Sequence, residues 1–169
     1  MRKIEELDAT SLKDNQKNVL RAFLFSCYTG LRFKDVSRLC VEHIVNGVIE
    51  LQTSKTGSVV RIPVSKKALA LIEGKTSSLF KLYQNHKTNK ILGQLMILAG
   101  LSKKVTFHIS RHTFATLSLN MGISMEVVSE LLGHTSIRVT QLYAKILDKT
   151  KVEMMKKWDE MDLPEKAVS

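Results

Sequence analysis

Apolar residues in the first part of the chain keep a helical rhythm. Val19, Leu20, Phe23, Leu24 and Cys27 fall at i, i+1, i+4, i+5 and i+8, which lines one face of a helix. Gly30 should stop it, leaving Arg32 in the turn before a short helix from Lys34 to Leu39, with Val36 and Leu39 inward. The period then changes. Val48–Gln52 and Val59–Pro63 are β-rich runs on either side of a polar Gly57-containing stretch, so a hairpin is expected with Lys55 at its tip. A helix from Lys66 to Glu73 should follow, with Ala68, Leu69 and either Leu71 or Ile72 inward, closed by Gly74. Residues 77–86 read as irregular, and Thr88 as the cap of a helix Asn89–Ala99 with a stripe of Ile91, Leu92, Leu95 and Met96. Thr106 should cap a helix from Phe107 to about Asn120, and Ser124 one that runs to Leu132 and stops at Gly133. A third helix should then present Tyr143. Met154, Trp158 and Met161, at i, i+4 and i+7, predict a last helix within residues 148–161.

The expected fold is thus mainly α with a small antiparallel β-hairpin. Residues 1–15, polar and weakly patterned, read as a linker remnant. Residues 16–147 read as one domain, and 148–169 as a C-terminal helix and tail. With 169 residues and 44% hydrophobic content, one domain can bury a substantial core. No apolar run is long enough to cross a bilayer, and no signal-peptide pattern opens the chain, so a cytoplasmic protein is expected. In that setting Cys27 and Cys40 are not expected to form a disulfide.

Charge narrows the class of partner. Lys and Arg number 26 against 16 Asp and Glu, a net charge of +10. Between Leu51 and Met125 there are eleven basic residues and a single acid, Glu73, leaving fifteen of each sign elsewhere. So few carboxylates over so long a stretch suit a face that binds a polyanion, with nucleic acid first in line. Lys81, His86, Lys87 and Lys90 are candidates for phosphate-backbone contacts. The acids near the motifs are too few, and the five histidines too scattered, to suggest a metal site.

Candidate chemistry lies between His108 and Tyr143. His108 and Arg111 are three apart on one predicted helix, so they share a face at its N-terminal end, a good receptor for a phosphate oxyanion. His134 falls on the turn after the next helix, and Tyr143 follows. Two histidines, an arginine and a tyrosine on consecutive helix ends suit chemistry on a phosphodiester. His112, next to Arg111, should point about a hundred degrees away from it and reads as a structural hydrogen-bonding histidine.

These motifs resemble the catalytic signature of the tyrosine recombinases, the phage-integrase family. His108-Ile-Ser-Arg111-His-Thr-Phe-Ala-Thr, Leu132-Gly-His134-Thr-Ser-Ile and Tyr143 carry the resemblance, with Tyr28-Thr-Gly-Leu-Arg32 similar to the family's first arginine motif and Ser54-Lys55-Thr-Gly57 to its hairpin lysine. All stand in the family's order, from about Val19 to about Ala144. The resemblance implies the tyrosine-recombinase catalytic-domain fold (α+β) and a site of Arg32, Lys55, His108, Arg111, His134 and Tyr143. It implies site-specific DNA recombination through a covalent 3′-phosphotyrosine, with Lys55 as general acid for the leaving 5′ oxygen and Asp35 bracing Arg32. His108 is expected to assist in acid–base transfer, although donation to phosphate is its alternative.

The implied partner is double-stranded DNA, on which the full-length protein would self-associate into a tetrameric synapse, associated with the nucleoid. No cofactor, metal, membrane or small-molecule substrate is implied, since the phosphotyrosine bond conserves the energy of the broken linkage. A preceding helical DNA-binding domain is usual in the family, so this chain is expected to be the catalytic part of a longer protein. The residues around Arg32 and Lys55 resemble integrases of mobile elements more than chromosome-dimer resolvases. Competing readings are a catalytically silent DNA-binding protein of the same fold, a type IB topoisomerase-like enzyme and a phosphatase-like hydrolase.

Overall fold

Helix α2 (Asp14–Thr29) is the axis of the molecule in this computed structural model, which describes residues 1–74, 77–134 and 136–143. It is buried more widely than a one-faced pattern implies: Val19, Ala22, Phe25 and Ser26 are inaccessible, and Phe23 and Cys27 nearly so. The reason is that α4 (Lys66–Ala70), α5 (Asn85–Leu98) and α6 (Phe107–Asn120) all pack against it. Gly30 closes α2 in the left-handed region at φ 71°, a conformation open to glycine at little steric cost. Arg32 follows in extended backbone as the N-cap of α3 (Phe33–Ser37).

The β-rich runs form the expected hairpin, β2 (Val48–Gln52) against β3 (Val59–Pro63), with Ile49 opposite Ile62 and Leu51 opposite Val60 on the core face. A two-residue strand, β1 (Ile44–Val45), adds to β2 through Asn46 and Gly47, both at positive φ. Asn-Gly between apolar residues is the signature of this tight turn, so β1 was visible in the sequence. The described residues are therefore mainly helical, with a three-stranded antiparallel sheet in the order β1-β2-β3.

Several local expectations are corrected. Residues 1–15 are not a bare linker: Arg2–Glu5 forms α1, and Ile4 and Leu12 are buried in the core. Glu5 also accepts a hydrogen bond from the Tyr28 hydroxyl and lies 3.8 Å from Lys67 Nζ. The α4 helix is shorter than expected, and Leu69 turns outward. Helix α5 begins at Asn85, four residues early, so Thr88 is no cap; it is buried and its hydroxyl bonds the Tyr83 carbonyl at 3.1 Å. The predicted helix within 148–161, with Trp158, lies outside the described residues.

Phe107 positions the site. Its ring stands edge-on to Phe23 of α2 and Phe33 of α3, at 5.9 and 5.2 Å between centroids. Thr106 occupies the N-cap of α6, but its hydroxyl does not cap the helix; Asn89 of α5 accepts the Phe107 N–H at 2.7 Å. Deeper in, Ser26 and Ser110 share a 2.5 Å hydrogen bond between α2 and α6. A second cluster, Phe114, Ala115, Leu119, Val128 and Leu132, holds α7 (Met125–Leu131) on the far half of α6. Ser124 caps α7, as expected.

Candidate active site

A cleft of about 510 Å³ opens over the start of α6. Arg32, Lys55, His108 and Arg111, four of the six sequence-derived candidates, line it. Lys34, Gln84 and Asn85, which the motifs did not single out, line it too. Among the described residues, no carboxylate lines it.

Arg111 is buried, and its terminal nitrogens donate to two backbone carbonyls: Nη1 to Gly30 at 2.7 Å and Nη2 to Leu132 at 2.5 Å. One guanidinium thus joins the end of α2 to the end of α7, and its remaining N–H groups are available to an anion. Burial, then the neighbouring Arg32, pushes Arg111 down to about 10, with Tyr143 and Asp35 pulling the other way. It stays charged at neutral pH. Arg32 Nη1 is buried without a hydrogen-bond acceptor among the described residues. A buried guanidinium beside a second, half-buried one is costly unless an anion joins them.

The expected pairing of Asp35 with Arg32 is corrected. Asp35 is fully buried, and its Oδ1 takes the Ser54 N–H at 2.8 Å and Arg38 Nη2 at 3.3 Å. Arg38 Nη2 also donates to the Gln52 carbonyl. Asp35 and Arg38 therefore brace the hairpin, and with it the residue preceding Lys55. The tip is further tied by Thr53 and Thr56 hydroxyls 2.7 Å apart. Lys55 itself is exposed.

His134 sits on the exit turn of α7, its Nδ1 2.8 Å from the buried Thr140 hydroxyl. The turn lies against the hairpin because Gly133 has no side chain: a Cβ there would come within 2.7 Å of Val60 Cγ1. Burial, then the charges of Arg111, Arg32 and Lys55, pushes His134 down to about 4. His108 is lowered too, by burial and then by His112, Arg111, Arg32 and Lys55. Tyr143 ends a 3₁₀ segment, Ile137–Tyr143, rather than an α-helix. Burial raises its phenol, and Arg111 opposes that in part.

His112, read from the sequence as a structural hydrogen-bonding histidine, finds a partner that the sequence did not name. Its Nδ1 lies 2.5 Å from the Tyr143 hydroxyl. Comparison with Arg111 suggested that it pointed away, yet it is four residues from His108, and that spacing puts both histidines on one face. Their rings meet edge to face at 4.6 Å. Of the basic residues proposed for phosphate contacts, Lys87 stands 4.2 Å over the Tyr83 ring.

The match to known proteins agrees with this arrangement. The phage integrase family model matches residues 2–150, so the chain belongs to the phage integrase family. Among its relatives are a tyrosine recombinase of Pseudothermotoga lettingae, 25% identical over 167 residues (91% of this chain, 58% of that protein), and tyrosine recombinase XerA of Pyrococcus furiosus, 31% identical over 138 residues (72% and 48%). The chain thus spans about half the length of these curated relatives. In three dimensions it is similar to a lambda integrase dimer bound to a core site, with a TM-score of 0.67 and 23% identity, covering 84% of this chain and 56% of that one. The tyrosine-recombinase fold expected from the motifs is the fold observed. Among the described residues, no helix is long and apolar enough to cross a membrane.

Proposed function

We propose that this chain cleaves and rejoins double-stranded DNA at specific sites, with Tyr143 attacking phosphorus to form a 3′-phosphotyrosine. The observation that carries this reading is a cleft in which Arg32, Lys55, His108 and Arg111 converge, with no carboxylate among the described residues that line it. Tyr143 is tied to the same helix through His112.

Attack on a phosphodiester places extra negative charge on its non-bridging oxygens. Arg111, clamped by two carbonyls, and Arg32, whose buried Nη1 has no acceptor among the described residues, are suited to receive it without reorganising. His134 adds a donor. If the Thr140 hydroxyl donates to Nδ1, a neutral His134 carries its proton on Nε2. Lys55, on a braced hairpin, protonates the departing 5′ oxygen. His108, in the cleft beside Arg111, donates to the phosphate. A second DNA end then reverses the step. Neither nucleotide cofactor nor metal enters, because the arginines supply the positive charge.

The relatives named as recombinases and the lambda integrase–DNA complex support this reading. Tetrameric assembly on DNA and a role in integration or excision of a mobile element belong to the same proposal. The test is covalent capture. Wild type and Tyr143→Phe are incubated with a nicked suicide duplex selected for binding to this chain, then resolved on a denaturing gel. An adduct is expected only with Tyr143 present; equal adduct from both proteins would refute the assignment.

A further inference from the structure

We propose that His112 is the base that takes the phenolic proton of Tyr143 as that oxygen attacks phosphorus, an inference that rests on the function proposed above. The geometry is direct: His112 Nδ1 and the Tyr143 hydroxyl are 2.5 Å apart, a distance at which a neutral imidazole accepts the phenolic O–H. The two rings face each other at 5.7 Å between centroids, tilted by 53°. His112 is itself held by the edge of His108, whose ring lies 4.6 Å away at 89°. Among the described residues no other side chain hydrogen-bonds the Tyr143 hydroxyl. Asp35, buried beneath the hairpin, has Oδ1 engaged by Ser54 and Arg38.

The need for a base follows from the site. A buried phenol holds its proton more tightly than a free one, and Tyr143 is raised by burial. It must lose that proton as the new bond forms. Arg111 acts on Tyr143 directly, and His108, whose ring meets that of His112, feels Arg111, Arg32 and Lys55. That cationic setting favours the negative charge passing from the phenolic oxygen to the phosphate. In cleavage the Tyr143 Oη–P bond forms and the P–O5′ bond breaks. The phenolic proton goes to His112 Nδ1, and the 5′ oxygen takes a proton from Lys55. In rejoining, the incoming 5′ hydroxyl returns its proton to Lys55, and His112 returns its own to Tyr143. Protons and electrons balance in both directions. His108 is thereby left free to serve the phosphate.

His112→Asn tests this, because the Asn side-chain oxygen can replace Nδ1 as an acceptor but cannot take the proton. Adduct formation is measured by single turnover on the suicide duplex from about pH 6 to pH 10, with thermal melting as a check on folding. His112→Asn is expected to slow the step by roughly 10²–10⁴-fold at neutral pH. Its rate should keep rising with pH towards the ionisation of Tyr143, which burial sets above that of a free phenol, over the range where the wild-type rate is level. A rate within about twofold of wild type overturns the proposal, and so does a loss that leaves the wild-type pH profile intact, since that marks a structural role. Nitrogen-15 NMR of the free protein tests the same point without DNA. The proton of neutral His112 is expected on Nε2, and a proton on Nδ1 overturns the proposal. Wild type that forms no adduct at all would instead refute the recombinase reading beneath it.

Discussion

Substituting Gly30 by alanine tests both the packing and the way the site is assembled. Gly30 is buried, sits at φ 71°, and its carbonyl oxygen accepts from Arg111 Nη1. A Cβ there would come within 2.6 Å of Phe114 Cδ1 and 2.8 Å of Leu132 Cδ2. The left-handed backbone costs a non-glycine residue about 1–2 kcal/mol. Overpacking against a ring and a core methyl adds about 1–3 kcal/mol, because both belong to the buried cluster and cannot swing into solvent. The expected loss is thus about 2–5 kcal/mol, or roughly 5–15 °C in melting temperature for a chain of this size. Gly47 is the matched control: it has φ 75° and nothing within 4 Å of an added Cβ, so Gly47→Ala should show only the backbone cost. Both variants would be followed by urea and thermal unfolding, and adduct formation measured well below either midpoint. Gly30→Ala should also lose activity while folded, because its shifted carbonyl withdraws an anchor from Arg111. Equal destabilisation of the two variants would refute the steric argument, and full activity in folded Gly30→Ala would refute the anchoring argument.

Three further outcomes are expected. Lys55→Ala should lose adduct formation by roughly 10²–10⁴-fold and recover most of it on DNA with sulfur as the 5′ leaving atom, which needs little protonation, whereas Arg111→Ala should not recover; no rescue would move the general acid elsewhere. Asp35→Ala should cost roughly 1–3 kcal/mol in urea unfolding, since it removes the acceptor of the partly buried Ser54 N–H and of Arg38, and should slow the Lys55-dependent step further than Lys34→Ala does. His134 is held at about 4 in the fold against an ordinary value near 6.5, so below pH 6.5 the unfolded chain binds a proton that the folded chain refuses. Its contribution to stability should therefore be flat above pH 6.5 and fall as pH drops towards 4, by about 1–2 kcal/mol once solvent screening at a half-open site is allowed for. His108 acts in the same direction, so the comparison is between wild type and His134→Gln; identical pH dependence in the two would sink the assignment.

Local patterns carried much of this protein. The hairpin strands, the span of α6, the Ser124 cap and the glycine stops at Gly30 and Gly133 follow from periodicity and turn chemistry, which act over a few residues. The motifs also named four residues that do meet in one cleft: spacing along a helix sets His108 and Arg111 on one face, while Arg32 and Lys55 came from the family resemblance. Partner choice was beyond such reasoning. Asp35 is three residues from both Arg32 and Arg38, and only the docking of the hairpin, which brings the Ser54 N–H to its Oδ1, decides for Arg38. The packing of Ile4 and Leu12 rests on surfaces distant in sequence, so a weakly patterned segment reads as a linker until the core is assembled. Arg111 draws its two acceptors from residues 81 and 21 positions away, at the ends of different helices. His112 lies between the two cases. Its helix face was legible from His108, but its contact with Tyr143 arises only when α7 and the 3₁₀ segment fold back across 31 residues. A hydrogen bond at that separation is selected by the packing of the elements that carry its two ends.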